Sequence, residues 1–315
     1  MLTQSGREHN IRAPMAPAKL GVAVVGARRV RQGIGEFVAR GFQKAGADVR
    51  AVCASSPATA AAAARTLRES HGIEAAPFDS VERMLREAPV DVVAICSPVE
   101  LHAEHLEIAS RFPVDVLCEK PLWWTPDGDV RERTRRLLDR FAGKRLRLNT
   151  QWPYTLDAFR RLHGARSTDG VRRFSMLLSP VSEGDAMLVD SGSHLISMLQ
   201  ALLGRHEARG VRWDGTGKVS FAYGGADVEF TMRRCLERPR PAWYAIDGLR
   251  AERRIRLPDY SIEFTDGART VASADPLDLL IEDFIDARGR GAATPADDIL
   301  EGMVLLRSLY DSLPR

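Results

Sequence analysis

The 315-residue chain has only four cysteines, Cys53, Cys96, Cys118 and Cys235, with no CxxC pair and no histidine beside them at metal-ligand spacing. No metal site is expected, and a reducing compartment is the simplest reading. The first three cysteines fall in apolar runs, where a thiol packs as a small hydrophobe. An excess of one charge is also lacking. The chain carries 45 basic against 42 acidic residues, a formal net charge of +3, so it has no electrostatic footprint of a nucleic-acid binder. Long hydrophobic runs are missing too: no window is apolar for long enough to cross a bilayer. Residues 1–18 mix polar side chains and proline without the apolar stretch of a signal peptide. The expectation is a flexible tail over 1–18 on a cytoplasmic protein that needs neither membrane nor nucleic acid.

The first half alternates short apolar runs with helical stretches. Strands are expected at Leu20–Val25, Val49–Cys53, Val90–Cys96, Val114–Cys118 and Arg145–Asn149. Helices are expected at Ile34–Ala45, Pro57–Ser70, Ser80–Glu87, Leu101–Ser110 and Asp127–Phe141. This alternation, with β-branched strands, predicts a parallel sheet covered on both faces. The second half reads differently. One helix over Met187–Leu203 is followed by short period-two segments at Lys218–Tyr223, Asp227–Met232, Trp243–Asp247, Arg253–Leu257 and Ser261–Thr265. They predict an open, mainly antiparallel sheet, closed by helices over Pro276–Arg288 and Pro295–Ser312. The fold class is therefore α/β, with an N-terminal Rossmann domain over 19–149 and a C-terminal α+β domain over 150–315, whose segment 276–315 forms the closing helices.

Gly26 follows the first strand, and Gly33, Ile34 and Gly35 lead into the first helix. Glycine suits this place because the backbone must turn tightly and approach a pyrophosphate, which the helix N-terminus attracts. The spacing is not G-x-G-x-x-G: the loop Gly26–Gly35 is about four residues longer than that fingerprint. Its Arg28, Arg29 and Arg31 are phosphate contacts or solvated charges. After the second strand, where an acid would read the ribose of NAD, stand Ala54, Ser55 and Ser56. Without a carboxylate there a 2′-phosphate meets no repulsion, so NADP is favoured over NAD.

Val90–Pro121 reads VDVVAICSPVELHAEHLEIASRFPVDVLCEKP, with Ser97-Pro98, His102 and Glu119-Lys120-Pro121 in order. Further on come Asp190-Ser191-Gly192-Ser193-His194, then Asp275-Pro276-Leu277 leading to Phe284. Together these resemble the glucose–fructose oxidoreductase/inositol dehydrogenase (Gfo/Idh/MocA) family over roughly residues 19 to 312. The resemblance implies that His194 is the general acid/base, that Lys120 stabilises the alkoxide or relays its proton, and that Asp190 positions the histidine or the substrate. It also implies that Ser97, Pro98, His102, Glu119 and Lys120 lie at the cofactor, with Glu119 near the nicotinamide-side ribose. Trp152 and Tyr154, at the domain junction, are candidates to line the substrate pocket. Trp123 and Trp124 form an apolar wall or plain packing. Ser197 stands three residues after His194, where many members carry Asp.

The expected activity is hydride transfer between NADP or NAD and a hydroxyl/carbonyl carbon of a sugar, polyol or related small metabolite. The alternatives are a non-catalytic NAD(P)-binding regulator or assembly subunit, and a C=N or C=C reductase on the same scaffold. The open sheet, with one face otherwise uncovered, predicts a homo-oligomer, a dimer or higher. Fold and catalytic core do not name the substrate.

Overall fold

The computed structural model describes residues 19–27 and 33–314. Arg28, Arg29 and Arg31, expected at the phosphates, lie outside the described residues. The first sheet is built from β1 (Gly21–Val25), β2 (Asp48–Cys53), β3 (Ala76–Phe78), β4 (Val92–Ile95), β5 (Asp115–Cys118) and β6 (Leu146–Leu148). Its order is β3-β2-β1-β4-β5-β6, and every pairing is parallel. Consecutive residues of β1 are all buried because alternate side chains enter different cores. Val22 and Val24 join one apolar cluster, and Ala23 and Val25 another. That is why this strand reads as an unbroken apolar run rather than an alternating one.

The helices over this sheet are α1 (Gly35–Lys44), α2 (Pro57–His71), α3 (Val81–Glu87), α4 (His102–Ala109) and α5 (Val130–Asp139). Several begin on a side chain that accepts from the first turn. Ser56 caps α2 in a reciprocal box with Thr59, Ser80 caps α3, and Asp129 caps α5. Helix α1 is different, since Ile34 precedes it and no side chain among the described residues caps it.

The second sheet follows the turn Trp152–Thr155 and α6 (Leu156–His163). It contains β7 (Arg173–Leu178), β8 (Arg209–Trp213), β9 (Lys218–Tyr223), β10 (Ala226–Met232), β11 (Trp243–Ile246), β12 (Leu249–Arg256), β13 (Ser261–Thr265) and β14 (Thr270–Ser273). The order is β14-β13-β12-β11-β7-β10-β9-β8. All pairs are antiparallel except β7 with β10, which run parallel at the middle of the sheet. Against the buried face lie α6 and α7 (Ala186–Leu203), whose Phe159, Leu188, Leu195 and Leu199 share a cluster with Phe174, Phe230, Tyr244 and Phe264. Among the described residues α7 is the one helix long and apolar enough to cross a membrane by length and composition. Its packing on the sheet accounts for that composition.

Two closing helices return to the first sheet. Helix α8 (Pro276–Gly289) puts Ile281 and Phe284 among the core residues of β1 and α1, with Phe284 edge-on to Phe42 at 6.3 Å. Helix α9 (Ala296–Asp311) contributes Ile299 and Met303 to the first sheet's cluster, and Leu306 and Leu309 to the second. A bidentate pair between Arg131 of α5 and Glu301 of α9 spans the same junction. The closing helices thus hold the two sheets against each other and fix the cleft between them.

Candidate active site

The strand order reverses between β1 and β4, and open α/β sheets bind ligands beyond the carboxyl ends of such a pair. Two glycines allow the chain to close up there. Gly26 has φ +82°, and a Cβ on it would lie 2.6 Å from the Cys96 carbonyl oxygen. A Cβ on Gly35 would lie 2.4 Å from the Gly26 carbonyl oxygen. The ends of β1 and β4 and the start of α1 therefore approach more closely than any side chain permits. The uncapped first turn of α1 keeps its N–H groups and positive dipole end for a ligand. Gly33 and Ile34, just before it, line the main cavity. This glycine cradle fits the pyrophosphate of a dinucleotide.

The cavity has a volume of about 660 Å³ and is bounded by both sheets and α7. Ser97, at the end of β4, lines it and shares a 2.9 Å hydrogen bond with Nδ1 of His105. Pro98 is exposed at the start of the following turn. His102 is 1% exposed, and its ring bridges two loops, with Nδ1 2.9 Å from the Pro121 carbonyl and Nε2 2.9 Å from that of Ser97. It clamps together the turns after β4 and β5. Glu119 accepts a hydrogen bond from the Asn149 amide. Burial raises its pKa, against the opposing pull of Lys120 and that amide.

Lys120 crosses the cleft from the end of β5. Its Nζ donates to the Asp190 carbonyl on α7 and to the Asp190 carboxylate at 3.0 Å. Ser182 donates to the other carboxylate oxygen at 3.1 Å. Burial would raise the Asp190 carboxyl, but Lys120, aided by Ser182 and His194, holds it below the usual carboxylate value. One turn along α7, His194 lines the same cavity. Burial first, then the nearby Lys120 charge, keeps its pKa well below the ordinary 6.5. The imidazole is neutral, and its Nδ1 is shut from solvent with no hydrogen-bond partner among the described residues. The spacing of Asp190 and His194 suggests that the carboxylate orients the ring. In the structure the carboxylate is taken by Lys120 and Ser182 instead, and its influence on His194 is electrostatic.

The other expected positions divide. Trp152 is buried on the cavity wall, edge-on to His194 with ring centroids 6.4 Å apart. Tyr154 is not among the cavity's lining residues: its hydroxyl donates to Asp283 at 2.6 Å and accepts from Arg147 at 2.9 Å. Trp124 lines the cavity against Tyr310, whereas Trp123 is buried with Nε1 donating to Thr134. Ser197 bonds back to the His194 carbonyl and opens on a separate pocket behind α7. Ser55 is exposed at the end of β2, and Ser56 is committed to its capping box, both outside the cavity. The sequence reading missed Asp79, whose charge reaches Cys53 at the end of β2 and which pairs with Arg83 at 3.3 Å. It also missed the pairing of Asn149 with Glu119, Ser182, and the cavity-lining arginines Arg240 and Arg253. For Arg253 a signal was available, a charge at an inward position of an alternating strand.

Comparison with known proteins agrees with this architecture. Residues 20–136 match the Gfo/Idh/MocA family, described as an oxidoreductase family with an NAD-binding Rossmann fold. Over 213 residues the chain is 26% identical to D-glucoside 3-dehydrogenase of Escherichia coli (strain K12), covering 62% of this chain and 57% of that protein. Over 85 residues it is 34% identical to inositol 2-dehydrogenase of Paracoccus denitrificans (strain Pd 1222), covering 26% of this chain and 24% of that protein. The matches thus span 57% and 24% of the lengths of these two relatives. Levoglucosan dehydrogenase, solved with NADH and levoglucosan, shares the fold at TM-score 0.71 and 16% identity, over 94% of this chain and 97% of that one. Myo-inositol 2-dehydrogenase from Lactobacillus plantarum does so at TM-score 0.67 and 14% identity, over 94% and 97%. Residues 20–136 are thus similar to the NAD-binding Rossmann segment of the Gfo/Idh/MocA oxidoreductase family, and the chain shares its two-sheet fold with these solved dehydrogenases.

Proposed function

We propose that the protein is an NAD(P)-dependent dehydrogenase or reductase acting on a hydroxyl/carbonyl carbon of a sugar, polyol or related small metabolite. One observation carries this reading. Lys120, at the carboxyl end of β5, and the neutral His194 of α7 come from opposite walls into one cavity, and the Nδ1 of His194 has no partner among the described residues. Gly26, Gly33, Ile34 and Gly35 would hold the dinucleotide, whose nicotinamide would supply hydride transfer to or from the substrate's carbinol carbon. In oxidation His194 takes the hydroxyl proton on a ring nitrogen. Lys120 donates to the developing alkoxide, while Asp190, itself fixed by Ser182, holds the ammonium in place. In reduction the proton returns by the same path. Trp152 gives the apolar wall that keeps water from the reacting carbon. Positioned proton transfer of this kind contributes about 10²–10⁴-fold.

The cofactor proposed is NADP in preference to NAD. Ser55 offers a hydroxyl at the end of β2, and the nearby Asp79 is already paired with Arg83. The further proposals are a boundary between residues 149 and 150, a cytoplasmic location, and a dimer or larger homo-oligomer through the open face of the second sheet. Sedimentation at micromolar concentration checks the last, and a species at only the 34.8 kDa of one chain counts against it. The function itself is tested by titrating NADPH and NADH through nicotinamide fluorescence, then measuring turnover on a sugar and polyol panel. Tighter binding of NADPH and turnover of at least one panel member are expected. Equal or tighter NADH binding removes the cofactor preference. Tight binding with no turnover favours a regulator that only binds the dinucleotide.

A further inference from the structure

Arg253 is an arginine on the wrong side of a strand. In β12 it follows Ala251 by two residues and so shares the face turned toward the helices, where Ala251 is fully buried. Its partner across the ladder is Phe264, also fully buried, and the register around the pair is regular. The guanidinium stacks 5.3 Å from the Trp152 ring centre and lines the cavity that holds Lys120 and His194. Its Nε is buried without a hydrogen-bond partner, and among the described residues the guanidinium makes no ion pair. Burial and the neighbouring charge of Arg240, which lines the same cavity, both work against the cation there, with only Tyr260 and Asp275 acting the other way. The cavity's remaining carboxylates do not serve it. Asp190 is held by Lys120, Glu119 by Asn149, and Glu100 and Asp185 are exposed at the rim.

A half-buried cation whose Nε is buried with its hydrogen bond unmade is costly unless a ligand completes it. We propose that the substrate carries an anionic group, a carboxylate or a phosphate, and that Arg253 is the residue that binds it. The proposal rests on the dehydrogenase reading and narrows it to acidic sugars or polyols and sugar phosphates. The guanidinium holds the anion with paired donors, and its stacking on Trp152 limits its motion. The anion then sits on the sheet side of the cavity, with a hydroxyl-bearing carbon left free to reach Lys120 and His194.

The test uses cofactor-loaded protein and matched substrates: D-glucitol against D-gluconate for the carboxylate, and D-glucose against D-glucose 6-phosphate for the phosphate. In the unmutated protein kcat/KM for one anionic member exceeds that of its neutral partner by about 10- to 100-fold. Which pair shows the preference identifies the anion. In Arg253→Met the ratio collapses toward one, and in Arg253→Lys part of it survives. NADPH titration and the melting temperature check that each variant is folded. Turnover without anionic preference, or a ratio that Arg253→Met leaves unchanged, overturns the proposal while the dehydrogenase reading stands. If no member of either pair is turned over, the dehydrogenase reading fails on these substrates. Calorimetric binding of gluconate and glucose 6-phosphate then decides the anion site alone. Binding that is lost in Arg253→Met supports it, and no binding overturns it.

Discussion

The two walls of the cavity differ in how far folding finishes them. On the Rossmann side the polar groups are largely spent on one another. His102 bridges two carbonyls, Ser97 meets His105, and Glu119 takes the Asn149 amide. On the side of α7 and the second sheet, the Nδ1 of His194 and the Nε of Arg253 are buried and unmatched. Buried polar atoms are rarely left without partners unless a function uses them. The difference is one of degree. The Rossmann wall still leaves Asn149 Oδ1 and the first-turn N–H groups of α1 open among the described residues, but folding satisfies most of its side chains. The other wall leaves the His194 and Arg253 nitrogens for a ligand. Lys120 is the exception that joins them, since it belongs to the first wall and bonds to the second.

The largest break in this contrast comes from removing the groups that meet across the cleft. Lys120→Ala and His194→Ala are each expected to lower turnover by about 10²–10⁴-fold. NADPH affinity should stay close to that of the unmutated protein in His194→Ala, because His194 lies on α7, on the opposite wall of the cavity from the glycine cradle. Asp190→Asn is expected to lose about 10- to 100-fold, since it removes a charge-assisted bond to Lys120 but leaves both acting groups. Steady-state kinetics with parallel NADPH titration separates the cases. Unchanged turnover in both alanine variants would return Lys120 and His194 to surface and packing roles.

A smaller effect tests the more finished wall. Gly26→Ala forces a side chain onto a backbone with φ +82° and against the Cys96 carbonyl. The left-handed conformation and the collision together cost about 2–4 kcal/mol. A lower melting temperature with weakened binding of both NADPH and NADH is expected. An unaffected variant would show that the strand ends can separate without cost.

The smallest effect is a pH dependence of stability on the less finished wall. Folding depresses the pKa of His194 below 6.5, so under that value the unfolded chain binds a proton that the folded chain refuses. The contribution is complete above the unfolded value and is lost as pH falls from there toward the folded one. His194→Gln should therefore flatten the decline in melting temperature as pH falls below about 6.5. A slope that does not change would place the sensitivity in other groups.

The strands and helices of the first half were legible because each obeys a local rule. β1 and β4 are apolar throughout, and α2 starts on Ser56-Pro57 and ends on Gly72 in the left-handed conformation. Less was legible where an element is short or depends on its neighbours. β3 has three residues, one of them proline, and is a strand only because β2 offers an edge to pair with. β7 shows no clean period-two alternation, and its parallel pairing with β10 at the middle of the sheet follows from topology. α6, β8 and β14 were missed because each is eight residues or fewer, and in α6 the helical spacing of Leu156, Phe159 and Leu162 went unread.

The sequence by itself determined the kind of fold and the glycines at the end of β1, because patterning along a strand or helix is a local property, while it was the family resemblance that singled out Lys120, Asp190 and His194. Tertiary structure alone decided who bonds to whom. It gave the Asp190 carboxylate to Lys120 and Ser182 rather than to His194, drew Tyr154 away to Asp283, and brought Arg253 beside Trp152. Each of these contacts joins residues that the chain holds apart and that meet only when two sheets and the closing helices pack. Side-chain pairing at that distance is set by three-dimensional packing and desolvation, which no period in the sequence encodes.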